Sequence, residues 1–226
     1  MKAVYRASDV WLSLGLAFAG GYGDSASFVL ANTFAGHVTG AFVLAAISVA
    51  SHDWPACWRR FIGIALFLAG ILFSATLRRF AITKPPWFLL SSVMGIEIVL
   101  ISAAYFAMTS HVAFRLELFV SCMSLALGLQ NGAWQKAGAI SVHTTYLTGM
   151  LTDLLTSAAE RSNASAALVR EPEANLKGSL HRGIWLAFVL GAGIGAASIF
   201  RFEALGILGI AVPLAAIMIA SWFMSK

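Results

Sequence analysis

GYGDSASFVLANTFAGHVTG, residues 21–40, places one acid, Asp24, inside an otherwise apolar run and closes on Thr39-Gly40. A second stretch of the same design, GLQNGAWQKAGAISVHTTYLTG over residues 128–149, carries Asn131 where the first has Asp24, and Thr148-Gly149 where the first has Thr39-Gly40. A polar motif that occurs twice in so apolar a chain points to an integral membrane protein with a polar site inside the bilayer.

The composition around the motifs agrees. Of 226 residues, 59% are hydrophobic and 11% charged, whereas a soluble domain carries about 25% charged residues. A water-soluble fold could not cover that much apolar surface. The formal net charge of +5 does not indicate nucleic acid, because the Lys and Arg residues lie in the short gaps between apolar runs instead of along one face. Cys57 and Cys122 are too few for a disulfide framework and read as small packing residues. The basic, apolar N-terminus resembles a secretory signal. Its apolar run continues through the first motif, however, so it reads as a retained first span.

A spanning helix needs about 20 mainly apolar residues. Eight runs qualify: 11–30, 35–51, 61–77, 87–108, 114–134, 137–159, 183–200 and 204–224. The fold expected is therefore all-α, a single polytopic helical membrane domain over 1–226 with about eight spans. Six spans follow instead if the motif segments are re-entrant, since the linkers Asn32-Thr33-Phe34 and Gln135-Lys136 are very short and Gly20, Gly21 and Gly23 weaken a helix just before Asp24. The longest polar interval, 160–182, reads as a cytoplasmic loop. With eight spans, ten Lys and Arg lie on the side of the termini and five opposite, which favours cytoplasmic termini.

Likeness extends beyond the motifs. RFIGIALFLAGILFSATLRRF from Arg60 parallels RGIWLAFVLGAGIGAASIFRF from Arg182, with small residues at Ala69-Gly70 and Gly191-Ala192. This predicts two repeats, about 8–110 and 113–226, each of four spans. An even number of spans would give the halves the same orientation, with a solute site at their interface.

At these residues the chain resembles the YoaK-like family of uncharacterised bacterial membrane proteins, a domain-of-unknown-function group. That family pairs a Gly-x-x-Asp and Met-Thr-Gly-Asn first half with a Gly-x-Gln-Asn and Thr-Thr-x-x-Thr-Gly second half. Asp24, Thr39, Gly40, Gln130, Asn131, Thr144, Thr145, Thr148 and Gly149 hold the family's polar pattern. The chain departs from it at Ala41, where Asn is usual, and at His37 and Val38, where Asn and Met are frequent. The resemblance implies a bacterial inner-membrane location and carries no substrate or activity.

The candidate site residues follow from their chemistry. Asp24 inside a bilayer must be paired, hydrated or protonated, since a charged Asp at a helix centre costs about 2.5–3.5 kcal/mol. It either carries a proton or cation, or hydrogen-bonds Thr39, Ser27 or the second motif to lock two halves together. His37, thirteen positions on across the turn, either sits at a helix entrance in interfacial water, the simpler reading, or pairs with Asp24 as a group that can change charge near neutral pH. Gln130 and Asn131 offer amide donors and acceptors. Thr144 and Thr148 share a helical face with Thr145 beside them, and hydroxyls so placed line a solute path or bond between helices. Gly21, Gly40, Gly128 and Gly149 read as structural glycines. Glu97 is a second intramembrane acid, and Asp153 falls in the sixth run.

Enzyme signatures are thin. The chain has no CxxC, HExxH, P-loop, dinucleotide fingerprint or Gly-x-Ser-x-Gly elbow, and no metal or cofactor is expected. The reading is a transporter or permease for a small polar solute, proton- or cation-coupled, with the bilayer as its surroundings and room for a homo-oligomer. The alternative is a non-transporting membrane interaction or assembly protein that docks a partner through 160–182.

Overall fold

The computed structural model describes residues 7–84, 86–138, 140–141, 147–161 and 172–223, and helices account for nearly all of them. In order they are α1 (Ala7–Ala31), α2 (Val38–Ala50), α3 (Trp54–Phe80), α4 (Pro86–Thr109), α5 (Arg115–Ala133), α6 (Leu147–Arg161), α7 (Pro172–Phe202) and α8 (Ala211–Phe223). A two-stranded antiparallel hairpin, β1 (Lys136–Ala137) with β2 (Ile140–Ser141), follows α5, and a 3-10 segment, Glu203–Ile210, leads into α8.

Three helical stretches are long and apolar enough to cross a membrane: Trp54–Thr83, Phe88–Thr109 and Leu176–Ser221. The chain is thus an all-α protein compatible with a membrane location. Phe61, Leu68, Leu72 and Phe73 on α3, and Leu186, Leu190 and Ile194 on α7, point outward, forming apolar stripes of a kind that soluble monomers rarely expose.

The helix ends follow from local chemistry. Asn32 and Glu203 leave α1 and α7 in the left-handed region, at φ 51° each, and His52 turns the chain between α2 and α3 at φ 58°. Asp53 caps α3, its Oδ1 accepting the Ala56 amide at 3.1 Å, and Pro55 occupies the first turn, where a missing N–H costs nothing. Arg78 and Arg79 close α3 at the negative end of its dipole.

Two tightly crossed helix pairs form the frame. A Cβ on Gly21 of α1 would overlap the Phe188 carbonyl of α7, and one on Gly191 would overlap the Phe18 carbonyl. On the other side of the molecule, Gly128 of α5 stands against the Phe67 carbonyl of α3, and Gly70 against that of Leu125. Both crossings use glycine for close backbone approach, as membrane helix pairs do. The glycine run before Asp24 was expected to weaken its helix, but α1 continues through it to Ala31 because Gly21 is needed to admit α7.

Within each pair the helices run parallel. Residue numbers rise together from Gly183–Leu14 to Gly195–Tyr22, and from Gly63–Val120 to Gly132–Ser74. Between the pairs the direction reverses. Leu127 lies against Gly23, Gln130 bonds the Leu16 carbonyl and Trp134 bonds Ser13, so α5 runs antiparallel to α1. Two parallel four-helix halves would have pointed the motif helices the same way, whereas α1 and α5 run in opposite directions.

The physical reason lies in two of the eight runs. Run 35–51 became α2, whose 13 residues reach about 20 Å, short of a hydrocarbon core of about 30 Å. Run 137–159 became the hairpin, turned at Gly138 with φ 58°, and the short amphipathic α6. The polar interval 160–182 is not all loop either, since helix resumes at Pro172.

Candidate functional site

Asp24 lies seven residues before the end of α1 and is 4% exposed. After Asn32 the chain folds back along the helix, and the Gly36 amide donates to Asp24 Oδ1 at 2.6 Å. The loop amides therefore face a carboxylate at the start of α2, where a helix dipole also favours negative charge. His37 Nδ1 is 4.0 Å from Asp24 Oδ2, which has no hydrogen-bond partner among the described residues. His37 thus lies near Asp24, at the entrance to α2.

Ser27, one turn beyond Asp24 on the same face, is buried with its Oγ unpartnered among the described residues, and so is Thr33 Oγ1 in the folded-back loop. Buried polar atoms are nearly always satisfied. A carboxylate oxygen and a hydroxyl on one helix face, and a second hydroxyl on the loop after it, are thus buried without a partner among the described residues, groups of the kind that water, a proton, a cation or a polar solute would satisfy.

Arg60 holds the rim. Buried in α3, it donates to the Leu44 carbonyl of α2 at 2.6 Å, to Ser48 Oγ, and to the Asn32 carbonyl at 3.1 Å. Its neighbour Arg59 pairs with Glu117 at 3.3 Å and reaches the Ala31 carbonyl. One guanidinium thus ties the broken backbone after α1 to both following helices. Neither Arg60 nor Thr33 stood out in the sequence: an arginine at a run boundary reads as a flanking cation, and a threonine in a three-residue linker reads as a turn.

The second motif is used differently. Gln130 is fully buried and its Nε2 donates to the Leu16 carbonyl of α1 at 2.8 Å, a cross-link between the two motif helices. Leu16 precedes Asp24 by about two turns, roughly 12 Å along the axis, so Asn131 sits well away from Asp24 and the two do not share one niche. Asn131 Oδ1 is itself buried without a partner among the described residues. Thr39 and Thr148 are exposed on the first turns of α2 and α6. Thr144 and Thr145 lie outside the described residues. Gly40 packs against the Phe34 ring, Gly21 and Gly128 serve the helix crossings, and Gly149 is half-buried at the start of α6.

Other polar contacts brace the frame. Tyr22 donates to the Gly206 carbonyl at 2.6 Å, and Ser74 donates to the Leu129 carbonyl at 2.6 Å. A cavity of about 340 Å³ between α1 and α8, lined by residues such as Trp11, Leu12, Pro213 and Ile217, is apolar and far along α1 from Asp24. It suits a hydrocarbon chain rather than a polar solute. No group of three or more His, Cys, Asp or Glu able to hold a metal occurs among the described residues.

A family model described as a protein of unknown function, DUF1275, matches residues 12–220, and the chain belongs to that family. No curated protein and no solved structure matches the chain.

Proposed function

We propose that the chain is a bacterial inner-membrane transporter or permease for a small polar solute, proton- or cation-coupled, with the niche at Asp24, Ser27, Thr33 and His37 as its binding site. The observation that carries this reading is the antiparallel setting of α1 and α5 together with their matched glycine crossings. Gly128 stands to Phe67 as Gly21 stands to Phe188, and Gly70 stands to Leu125 as Gly191 stands to Phe18. This supports two repeats of three spans each, α1, α3 and α4 against α5, α7 and the 3-10 segment Glu203–Ile210 continued by α8, with α2 and α6 as short helices after each motif. Three is odd, so the halves are inverted, the arrangement in which broken segments near the midplane bind solute and alternate their access. The likeness of the motif pair to the YoaK-like group belongs with this reading.

Six spans put Arg78, Arg79, Lys84, Lys136, Lys177 and Arg182 on the side where α1 begins, and Arg59, Arg60, Arg115 and Arg201 on the other. Of the latter, Arg60 is buried and Arg59 is paired. The balance favours cytoplasmic termini.

Thermal unfolding of purified protein, wild type and Asp24→Asn, against small polar solutes and monovalent cations tests the proposal. A ligand of the folded state raises stability with the logarithm of its concentration. A shift in wild type that vanishes in Asp24→Asn supports the site. No shift with any ligand would favour the second reading, an assembly protein, for which the observation is that Asp24 and Gln130 already spend hydrogen bonds on the protein's own backbone.

A further inference from the structure

Glu97 lies near the middle of α4 and is 0% exposed. Leu90, Val93, Met94, Ile101 and Ala104 are the other buried residues along this stretch of α4, at the spacing of one helical face, so Glu97 occupies the centre of the stripe that α4 turns inward. That stripe belongs to the main core, with Phe119, Met123 and Leu127 of α5, Ile207 and Ile210 of the 3-10 segment, and Leu214 of α8. Neither carboxyl oxygen of Glu97 has a hydrogen-bond partner among the described residues.

Among the described residues, no counter-charge lies at that depth. Of the elements packed against α4, α3 carries Arg59, Arg60, Arg78 and Arg79 towards its ends, with Cys57 near its start. Helix α5 carries Arg115 and Glu117 in its first turn and Cys122 in its wall, the 3-10 segment begins with Glu203, and the described part of α8 has no titratable residue. Asp24 is on α1, engaged with the loop amides. A carboxylate at Glu97 would be buried with nothing to offset its lost hydration. A metal cation would need several oxygen ligands, and Glu97 supplies the two of one carboxyl. A proton needs only one.

We propose that Glu97 is a proton-binding site at the centre of the bundle, a neutral carboxylic acid in this closed arrangement that loads and unloads its proton when the halves rearrange. The step balances simply. A hydronium ion from one side gives its proton to the carboxylate, forming the O–H bond and leaving water; on the other side water takes the proton back and the carboxylate is restored. The role as a coupling site rests on the transport reading above, whereas the neutral buried acid does not.

The test is infrared spectroscopy of the full chain in liposomes at neutral pH, with the glutamate carboxyl groups carbon-13 labelled so that Glu97 is separated from Asp24 without any substitution. The expected result is a protonated-carboxyl band that moves with the glutamate label, shifts in D2O, and is absent from Glu97→Gln. Absence of the band in wild type, or a band that never shifts in D2O, would overturn the proposal. Sodium or potassium removing the band would overturn it in favour of a cation site. Entry of a pH-gradient-driven solute into the same liposomes separates the two readings. An exchanging band with no solute entry sinks transport and leaves the proton site, while entry at wild-type rate and gradient dependence in Glu97→Gln sinks the coupling role alone.

Discussion

Asp24 Oδ1 accepts the amide of Gly36 at 2.6 Å, so a residue in the body of α1 holds the loop that leads into α2. Oδ2 of the same carboxylate has no partner among the described residues. These two oxygens predict different outcomes for two substitutions. Asp24→Asn keeps an acceptor for Gly36 and removes the charge, so it should unfold within a few degrees of wild type yet lose ligand-induced stabilisation. Asp24→Ala strands buried loop amides and should cost about 1–3 kcal/mol. Thermal unfolding in detergent checks both, and equal losses in the two variants would contradict the division of labour.

The glycine crossings predict a matched pair of stability effects. A methyl at Gly21 or Gly128 would push into a backbone carbonyl that cannot swing aside. Gly21→Ala and Gly128→Ala should each lose about 1–3 kcal/mol, as overpacked sites do. Gly95 and Gly193 face open space, so alanine there should be neutral or gain about 0.5–1 kcal/mol from helix propensity. Loss at Gly21 with none at Gly128 would argue against equivalent crossings.

The apolar runs were legible from the sequence because α3, α4 and α7 bury one face and expose another equally apolar one, while α5 is buried nearly all round, and composition reports both cases directly. The motif pair was legible too. What could not be read was direction. A 13-residue helix such as α2 and a full span look alike when both are apolar, and run 137–159 is apolar straight across the hairpin turn at Gly138. Counting either of these two elements as a span or not decides the direction of every helix that follows it. Arg60 was read as a boundary cation because the acceptors that satisfy it, at Asn32, Leu44 and Ser48, come together only after the chain folds back.

Arg60 itself should be hard to replace. Its planar guanidinium reaches three acceptors on two sides, a geometry that lysine does not reproduce. Arg60→Lys should lose part of the stability that Arg60→Met loses in full, and the latter should fall by about 2–4 kcal/mol, since it strands buried acceptors of charge-assisted bonds. Limited proteolysis between residues 32 and 53 gives a second readout, with cleavage rising in the order wild type, Lys, Met. An unchanged rate in Arg60→Met would show that the clamp is dispensable.

The exposed pair Asp153–Lys177, at 3.0 Å between α6 and α7, should matter little. The hydrogen bond from Lys177, followed by its charge, holds the Asp153 carboxyl below its ordinary value of 3.8. A folded-state value below the unfolded one adds stability above the unfolded value, and the gain disappears as pH falls through the folded one. Stability should therefore be insensitive to this pair from pH 5 upward, and Asp153→Asn should shift the unfolding temperature by no more than about one degree in physiological salt. A larger shift at neutral pH would mean that α6 depends on the pair for docking.

The direction of the chain gives the sharpest prediction. If α2 ends on the same side as α1, His52 and Lys84 lie at opposite ends of α3, with His52 away from the termini and Lys84 on their side. Eight spans would place each of them on the other side. In a background with Cys57→Ser and Cys122→Ser, His52→Cys in intact cells should react with an impermeant thiol reagent, whereas Lys84→Cys should react only after permeabilisation. The reverse pattern would restore eight spans and parallel halves, and the antiparallel packing of α1 on α5 would then be untenable, because Gln130 could not meet Leu16 while Leu127 meets Gly23.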